Sequence, residues 1–184
     1  MEIEKKYLIR NMPENLEHYA KREIEQGYLN RKPVLRIRRS DDSYILTYKA
    51  KPDAASDASD AICNIEIEAP LTGAAYEHLK TKVDNHMISK TRYIIPIGTA
   101  ADNCPGMDLN AVDEDGRCCA ESQLKIELDV FHGCLEGLRF AEVEFPNVDA
   151  AQHFYPPAWF GEDVSRDRRY HNGYLSSLDA LTDF

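Results

Sequence analysis

Glu2-Ile3-Glu4-Lys5-Lys6, at the start of the chain, is the stretch whose reading decides the fold. Side chains on a β-strand alternate between faces, so Glu2, Glu4 and Lys6 share one face and Ile3 and Lys5 the other. The same spacing of charge returns at Arg36-Ile37-Arg38, Glu66-Ile67-Glu68 and Lys90-Thr91-Arg92. It returns again at Lys125-Ile126-Glu127-Leu128-Asp129 and Glu142-Val143-Glu144, with a weaker copy at Lys49-Ala50-Lys51. These seven stretches carry both signs of charge and are spread along the whole chain. Such a face is either solvated sheet surface or the lining of a polar cavity.

Like charges two apart on one strand face repel, as do like charges facing each other across strands. Clusters of this kind are tolerable where they bind counter-charges. Glu-x-Glu groups hold hard divalent cations through oxygen. Arg-x-Arg and Lys-x-Arg groups hold phosphate oxygens, Arg as a fork and Lys as a point charge. A closed barrel of about eight strands brings all these faces around one small-ligand cavity. A metal and a polyanion in one cavity is the chemistry of phosphoryl or nucleotidyl transfer. The expected apolar partners, Ile3, Ile37, Ile67 and Val143, then face outward under helices.

The chain of 184 residues is expected to be one domain, 1–184, with a loop-rich insertion at 98–121 that is rich in Ala, Asp and Gly. The net charge of −10 argues against nucleic acid held by non-specific charge. No apolar run approaches the roughly 20 residues needed to span a bilayer. The charged start of the chain has no apolar segment behind it, so it does not read as a secretory signal. The five cysteines are odd in number and none forms a Cys-x-x-Cys pair, which reads as reduced thiols in a cytoplasmic protein without a zinc site. The six histidines show no ligand spacing, and none is expected to act in catalysis.

Beyond the charged strands, Leu16, Ala20 and Ile24 fall at helical spacing, with Pro13 suited to a first turn and Gly27 to a stop. This predicts a helix over 13–27. Thr72 can cap a helix carrying Ala75, Leu79 and Val83, Asp149 a short one, and Asn172 a last one with Leu175, Leu178 and Leu181.

The ordered set of charged strands resembles the CYTH superfamily, the triphosphate tunnel metalloenzymes. Glu2-x-Glu4-x-Lys6 resembles its Glu-x-Glu-x-Lys signature. Gln26-Gly27-Tyr28-Leu29, Leu35-Arg36-Ile37-Arg38, Leu46-Thr47-Tyr48-Lys49, Glu66-x-Glu68 and Lys90-Thr91-Arg92-Tyr93 follow in the expected order. So do Glu127-x-Asp129-Val130-Phe131, Glu142-Val143-Glu144 and the segment from Asp163 to Tyr170. The resemblance covers nearly the whole chain apart from 98–121.

The fold it implies is α+β: a closed antiparallel eight-stranded β-barrel with helices packed outside. Glu2, Glu4 and Glu144 are the implied metal ligands, with Asp129 and Glu142 completing that site or a second one. Hard carboxylates suit Mg²⁺ or Mn²⁺. Lys6, Arg36, Arg38, Lys49, Lys90, Arg92 and Arg169 are the implied grip on a triphosphate. Lys6, Arg38, Lys90 and Tyr28 are the expected catalytic group, Tyr28 taking the place of a Tyr or His near the scissile phosphate. Glu66, Glu68 and Glu127 support the bases.

The implied activity is divalent-metal-dependent hydrolysis of a triphosphate, with inorganic tripolyphosphate first, because no platform for adenine or thiamine is legible. The alternatives are a class IV adenylate cyclase and a non-catalytic polyphosphate- or nucleotide-binding module. The expected partner is a small-molecule triphosphate, with no nucleic acid and no membrane; a homodimer is left open.

Overall fold

The computed structural model describes residues 3–50, 65–113 and 115–183. Among them are nine strands: β1 (Ile3–Ile9), β2 (Ala20–Arg31), β3 (Val34–Ser40), β4 (Ser43–Ala50), β5 (Ile65–Pro70), β6 (Asp84–Thr99), β7 (Gln123–His132), β8 (Arg139–Phe145) and β9 (Phe160–Asp163). They form one antiparallel sheet in the order β5-β4-β3-β2-β6-β7-β8-β1-β9. Four α-helices accompany it: α1 (Gly73–Lys80), α2 (Ala100–Asn103), α3 (Val148–His153) and α4 (Asn172–Leu175).

The predicted closed eight-stranded barrel is not what forms. β5 and β9 are the two edges, and among the described residues no ladder joins them. The reason lies in a short strand that the charge pattern does not reveal. β9 pairs with the outer edge of β1 at Tyr7 and Ile9. Just beyond it, the Val164 N–H donates to the Lys6 carbonyl at 2.8 Å, and the Lys6 N–H donates to Ser165 Oγ at 2.9 Å. The main-chain groups along that part of β1 are thus taken by 160–165. The sheet curls strongly enough for eight of its strands to line one cavity, but it stays open.

The alternation itself holds. Ile37 and Val143 are fully buried on the outer face, as are Ile126 and Leu128. Val143, Ile126 and Leu128 pack there, with Tyr7, Phe145, Phe154 and Phe160, into the larger core under α2 and α3. The loop-rich 98–121 stretch is part of this core, burying Ala100, Cys104, Met107, Cys119 and Ala120. Ile67 departs from the expectation: it is 58% exposed on the edge strand β5 and lies under no helix.

A second core lies on the concave face. Phe131, Phe140, Ile88 and Tyr28 pack there against Val164, Tyr170, Leu175 and Leu178 from the C-terminal segment. This apolar plug fills one end of the trough and leaves the other end to the charged rows.

The predicted helix over 13–27 is instead a single 3-10 turn at Leu16–His18 followed by the twelve-residue β2. The Leu16, Ala20, Ile24 spacing fits a helix, but Ile24, Gln26 and Tyr28 also alternate at period two. Pairing with both β3 and β6 decides for the strand. Thr72 caps α1 as expected, its hydroxyl accepting the Ala75 N–H at 3.2 Å. Asn147, not Asp149, caps α3, accepting the Ala150 N–H at 2.7 Å. The last helix stops at Leu175, although Leu178 remains buried.

Candidate active site

The concave face holds one cavity of about 710 Å³. Its described lining includes seven cationic side chains: Lys6, Arg36, Arg38, Lys49, Lys90, Arg92 and Lys125. Six carboxylates share it: Glu4, Glu66, Glu68, Glu127, Glu142 and Glu144. Strand register explains the convergence. Glu4 lies opposite Glu144 and Lys6 opposite Glu142, Arg92 opposite Asp129, and Glu127 opposite Glu142. On the far side of the trough, Lys49 lies opposite Glu66 and Thr47 opposite Glu68.

Arg92 is the hub. Its Nε donates to Asp129 Oδ1 and its Nη2 to Asp129 Oδ2, both at 2.6 Å. Nη2 also donates to Glu142 Oε2 at 2.6 Å, and Nη1 to Glu127 Oε2. A fork with two parallel bonds to one carboxylate fixes orientation as well as charge. Asp129 is fully buried, and its other neighbour is Lys90, whose Nζ lies 2.6 Å from Oδ2. Burial pushes the Lys90 ammonium below its ordinary value, against the pull of Asp129. Burial acts downward on Arg92 too, but Asp129, Glu142 and Glu127 outweigh it and hold the guanidinium well above its usual range.

Glu142 closes the network from the other side. It accepts from Arg92 and lies 2.9 Å from Lys6 Nζ, which also donates to the Tyr170 carbonyl at 3.0 Å. Burial would raise this carboxyl, but Arg92, Lys6 and Lys90 hold it far below the usual carboxylate range. Lys6 lies over the Phe140 ring and Lys90 over that of Phe131, at 4.7 and 5.3 Å from the centroids. The ammonium groups therefore stand at the boundary between the charged rows and the apolar plug.

The bases on β3 and β4 are held more loosely. Arg38 Nη2 lies 3.4 Å from Glu68 Oε1, and Lys49 Nζ lies 2.9 Å from Glu66. Arg36 Nη2 donates to Thr47 Oγ1 at 3.0 Å, while its buried Nε has no partner among the described residues. Burial and then the neighbouring Arg36 push Arg38 below its ordinary value, against the pull of Glu68. Tyr28 is buried beside Arg36, and burial raises its phenol, so it stays protonated at neutral pH. Its oxygen accepts from Gln26 Nε2 at 3.4 Å.

Of the residues predicted from sequence, Glu4, Lys6, Tyr28, Arg36, Arg38, Lys49, Glu66, Glu68, Lys90, Arg92, Glu127, Glu142 and Glu144 all line this cavity. Asp129 lies beneath it, bound to Lys90 and Arg92. Glu2 lies outside the described residues. Arg169 is on the exterior, 2.6 Å from Asp167 in a 3-10 turn. Among the described residues, no group of three His, Cys, Asp or Glu is placed to hold a metal ion. Sequence reasoning missed Gln26, His171, Asn172 and Gly173, which also line the cavity. Gln26 could have been found from its place two before Tyr28 on one strand face. The others arrive with the C-terminal turn, and no periodicity announces them.

Comparison with known proteins gives a consistent answer. No established family profile matches the chain. An inorganic triphosphatase of Nitrosomonas europaea is 32% identical over 178 residues, covering 95% of this chain and 96% of the relative. An inorganic triphosphatase of Acetivibrio thermocellus is 28% identical over 178 residues, covering 95% and 92%. The crystal structure of the inorganic triphosphatase NE1496 superposes with a TM-score of 0.62 at 31% identity, over 96% of this chain and 94% of that one. With nearly a third of its residues shared over almost the full length of both chains, this protein belongs to the family of the inorganic triphosphatases.

Proposed function

We propose that this protein is a divalent-metal-dependent triphosphatase that releases orthophosphate, with inorganic tripolyphosphate as its substrate. The observation that carries the reading is the single cavity in which seven cationic side chains face a smaller set of carboxylates. A flexible, strongly anionic chain of phosphates matches those cations, and the carboxylates beside them suit the dication that accompanies it. The curated relatives are both called inorganic triphosphatase, which favours hydrolysis over the cyclase and binding-module alternatives.

The cavity carboxylates are the donor chemistry a hard dication takes. Glu4 and Glu144 face each other across β1 and β8 and both line the cavity, so two carboxylates stand side by side on its wall. Their oxygens, with those of Glu2, are the donors we assign to Mg²⁺ or Mn²⁺. Glu142 and Asp129, the other expected ligands, already direct oxygens to Lys6, Lys90 and Arg92, so we assign them to orienting the bases. When bound, the dication supplies Lewis-acid polarisation of a phosphoryl oxygen and lowers the pKa of water.

The chain's own groups do the rest. Arg36, Arg38 and Lys49 grip the phosphates from one wall, and Arg36 Nε offers a donor with no described protein partner. Lys6 and Lys90, fixed by Glu142 and Asp129, stabilise charge developing on the leaving and equatorial oxygens. The Tyr28 phenol, kept protonated by burial, donates a hydrogen bond to a phosphoryl oxygen. The described cysteines 104, 118, 119 and 134 are free thiols, which suits work in the reducing cytoplasm. No helix among the described residues is long and apolar enough to cross a membrane.

The test is to offer tripolyphosphate, ATP and thiamine triphosphate with Mg²⁺ or Mn²⁺ and identify every product. Orthophosphate from tripolyphosphate, at a rate at least matching that from ATP, is expected. Cyclic AMP and pyrophosphate from ATP, with tripolyphosphate left intact, would contradict the proposal.

A further inference from the structure

We propose that His171 is an additional anion-binding residue of this cavity, meeting the substrate as an imidazolium, so that binding of a triphosphate draws a proton into the protein. The inference rests on the triphosphatase reading and deepens it. His171 is the only imidazole among the described lining residues. Its backbone is fixed on both sides: its N–H donates to the Arg168 carbonyl at 3.1 Å, and its own carbonyl accepts from Tyr174 and Leu175 at 2.9 and 3.0 Å. The ring is therefore carried at the cavity wall by a turn that does not depend on the side chain.

The charged groups around the ring come from three elements. Lys6 acts on it from β1, Glu142 from β8, and Arg168 and Asp167 from the preceding turn, all through electrostatics. Burial, then Lys6 and Arg168, push the imidazole below its ordinary value, and the two acids do not make up the difference. Without substrate the ring is thus neutral at neutral pH. A polyanion beside Lys6 reverses the local sign and favours the charged ring. Of the groups lining this wall, an imidazole is the one whose ordinary titration lies closest to neutrality. By linkage, whatever raises its proton affinity on binding also makes substrate affinity rise as pH falls.

The experiment is calorimetric titration of tripolyphosphate into the intact protein and into H171Q and H171K. EDTA prevents turnover, and two buffers of different ionisation heat are used at neutral pH. The intact protein is expected to take up more protons on binding than H171Q, the difference approaching about one proton. H171Q is expected to bind roughly tenfold more weakly, the scale of one charge-assisted contact. H171K, a permanent cation, is expected to keep near-intact affinity and to lose the extra proton uptake. Equal proton uptake by the intact protein and H171Q, or equal loss of affinity in H171Q and H171K, overturns the role of His171 and leaves the triphosphatase reading standing. Absence of tripolyphosphate binding by the intact protein, together with absence of hydrolysis when metal is present, overturns both.

Discussion

Asp129 shows at the scale of one residue why an acid can be essential to a basic site. Its carboxylate sits under the cavity and accepts from Lys90 Nζ and from both donors, Nε and Nη2, of the Arg92 fork. Removing its charge strands Lys90 in the interior and takes from Arg92 one of its three carboxylates, so Asp129→Asn is expected to cost about 3–5 kcal/mol in urea denaturation, the scale for breaking a buried ion pair. Glu142 makes a prediction in pH. Its folded-state value lies below its unfolded one, so the unfolded chain binds more protons in the interval between. The stability it contributes is complete above the unfolded value, near 4.3 for an ordinary Glu, and is lost as pH falls toward the folded value. Denaturation of the intact protein and Glu142→Gln across the acid range should show the two curves converging as pH drops. Glu4→Gln has a different character: it keeps the shape of the side chain but removes a carboxylate we assign to the dication, so turnover is expected to be abolished while circular dichroism shows the fold retained.

At the scale of elements, β2 teaches most. Its residues carry two periodicities at once, and only the ladders to β3 and β6 choose between them. Local pattern could not, because the competing helix needed no partner to be drawn and the strand needed two. The choice has a consequence at Gly27. A Cβ there would lie 2.4 Å from Met87 Sδ and 2.7 Å from Val83 Cγ1. Met can swing away, but a branched Val at that distance cannot without moving its strand neighbours. Gly27→Ala is therefore expected to destabilise by about 1–3 kcal/mol, read as a lower midpoint in chemical denaturation. The strands that were legible, β1, β3, β5, β6, β7 and β8, each carry charges two apart, a pattern no helix satisfies on one face. β9 is four residues long and has no such mark, so nothing short of the folded sheet reveals it.

For the whole molecule, that one unforeseen strand separates a closed barrel from a curled open sheet. The site survives the difference because side-chain direction depends on pleat and register, which the charge pairs disclose, and not on whether the last edge meets the first. That is why thirteen of the predicted residues reach the cavity while, among the described residues, no ladder closes the sheet that was expected to gather them. Arg169 failed to join them because its motif sits in a turn, where alternation gives no direction. The C-terminal segment supplies what a barrel floor would: an apolar plug against Phe131 and Phe140, with His171 at its polar rim.

The central claim is that this cavity splits a phosphoanhydride with the help of a dication held by Glu4 and its neighbours. Phosphorus NMR of tripolyphosphate incubated with the protein tests it most directly, with Mg²⁺ or Mn²⁺ or with EDTA, and alongside Glu4→Gln. Equal amounts of orthophosphate and pyrophosphate are expected from the intact protein with metal, and unchanged tripolyphosphate with EDTA or the variant. Intact tripolyphosphate in every sample, or undiminished hydrolysis by folded Glu4→Gln, would contradict it.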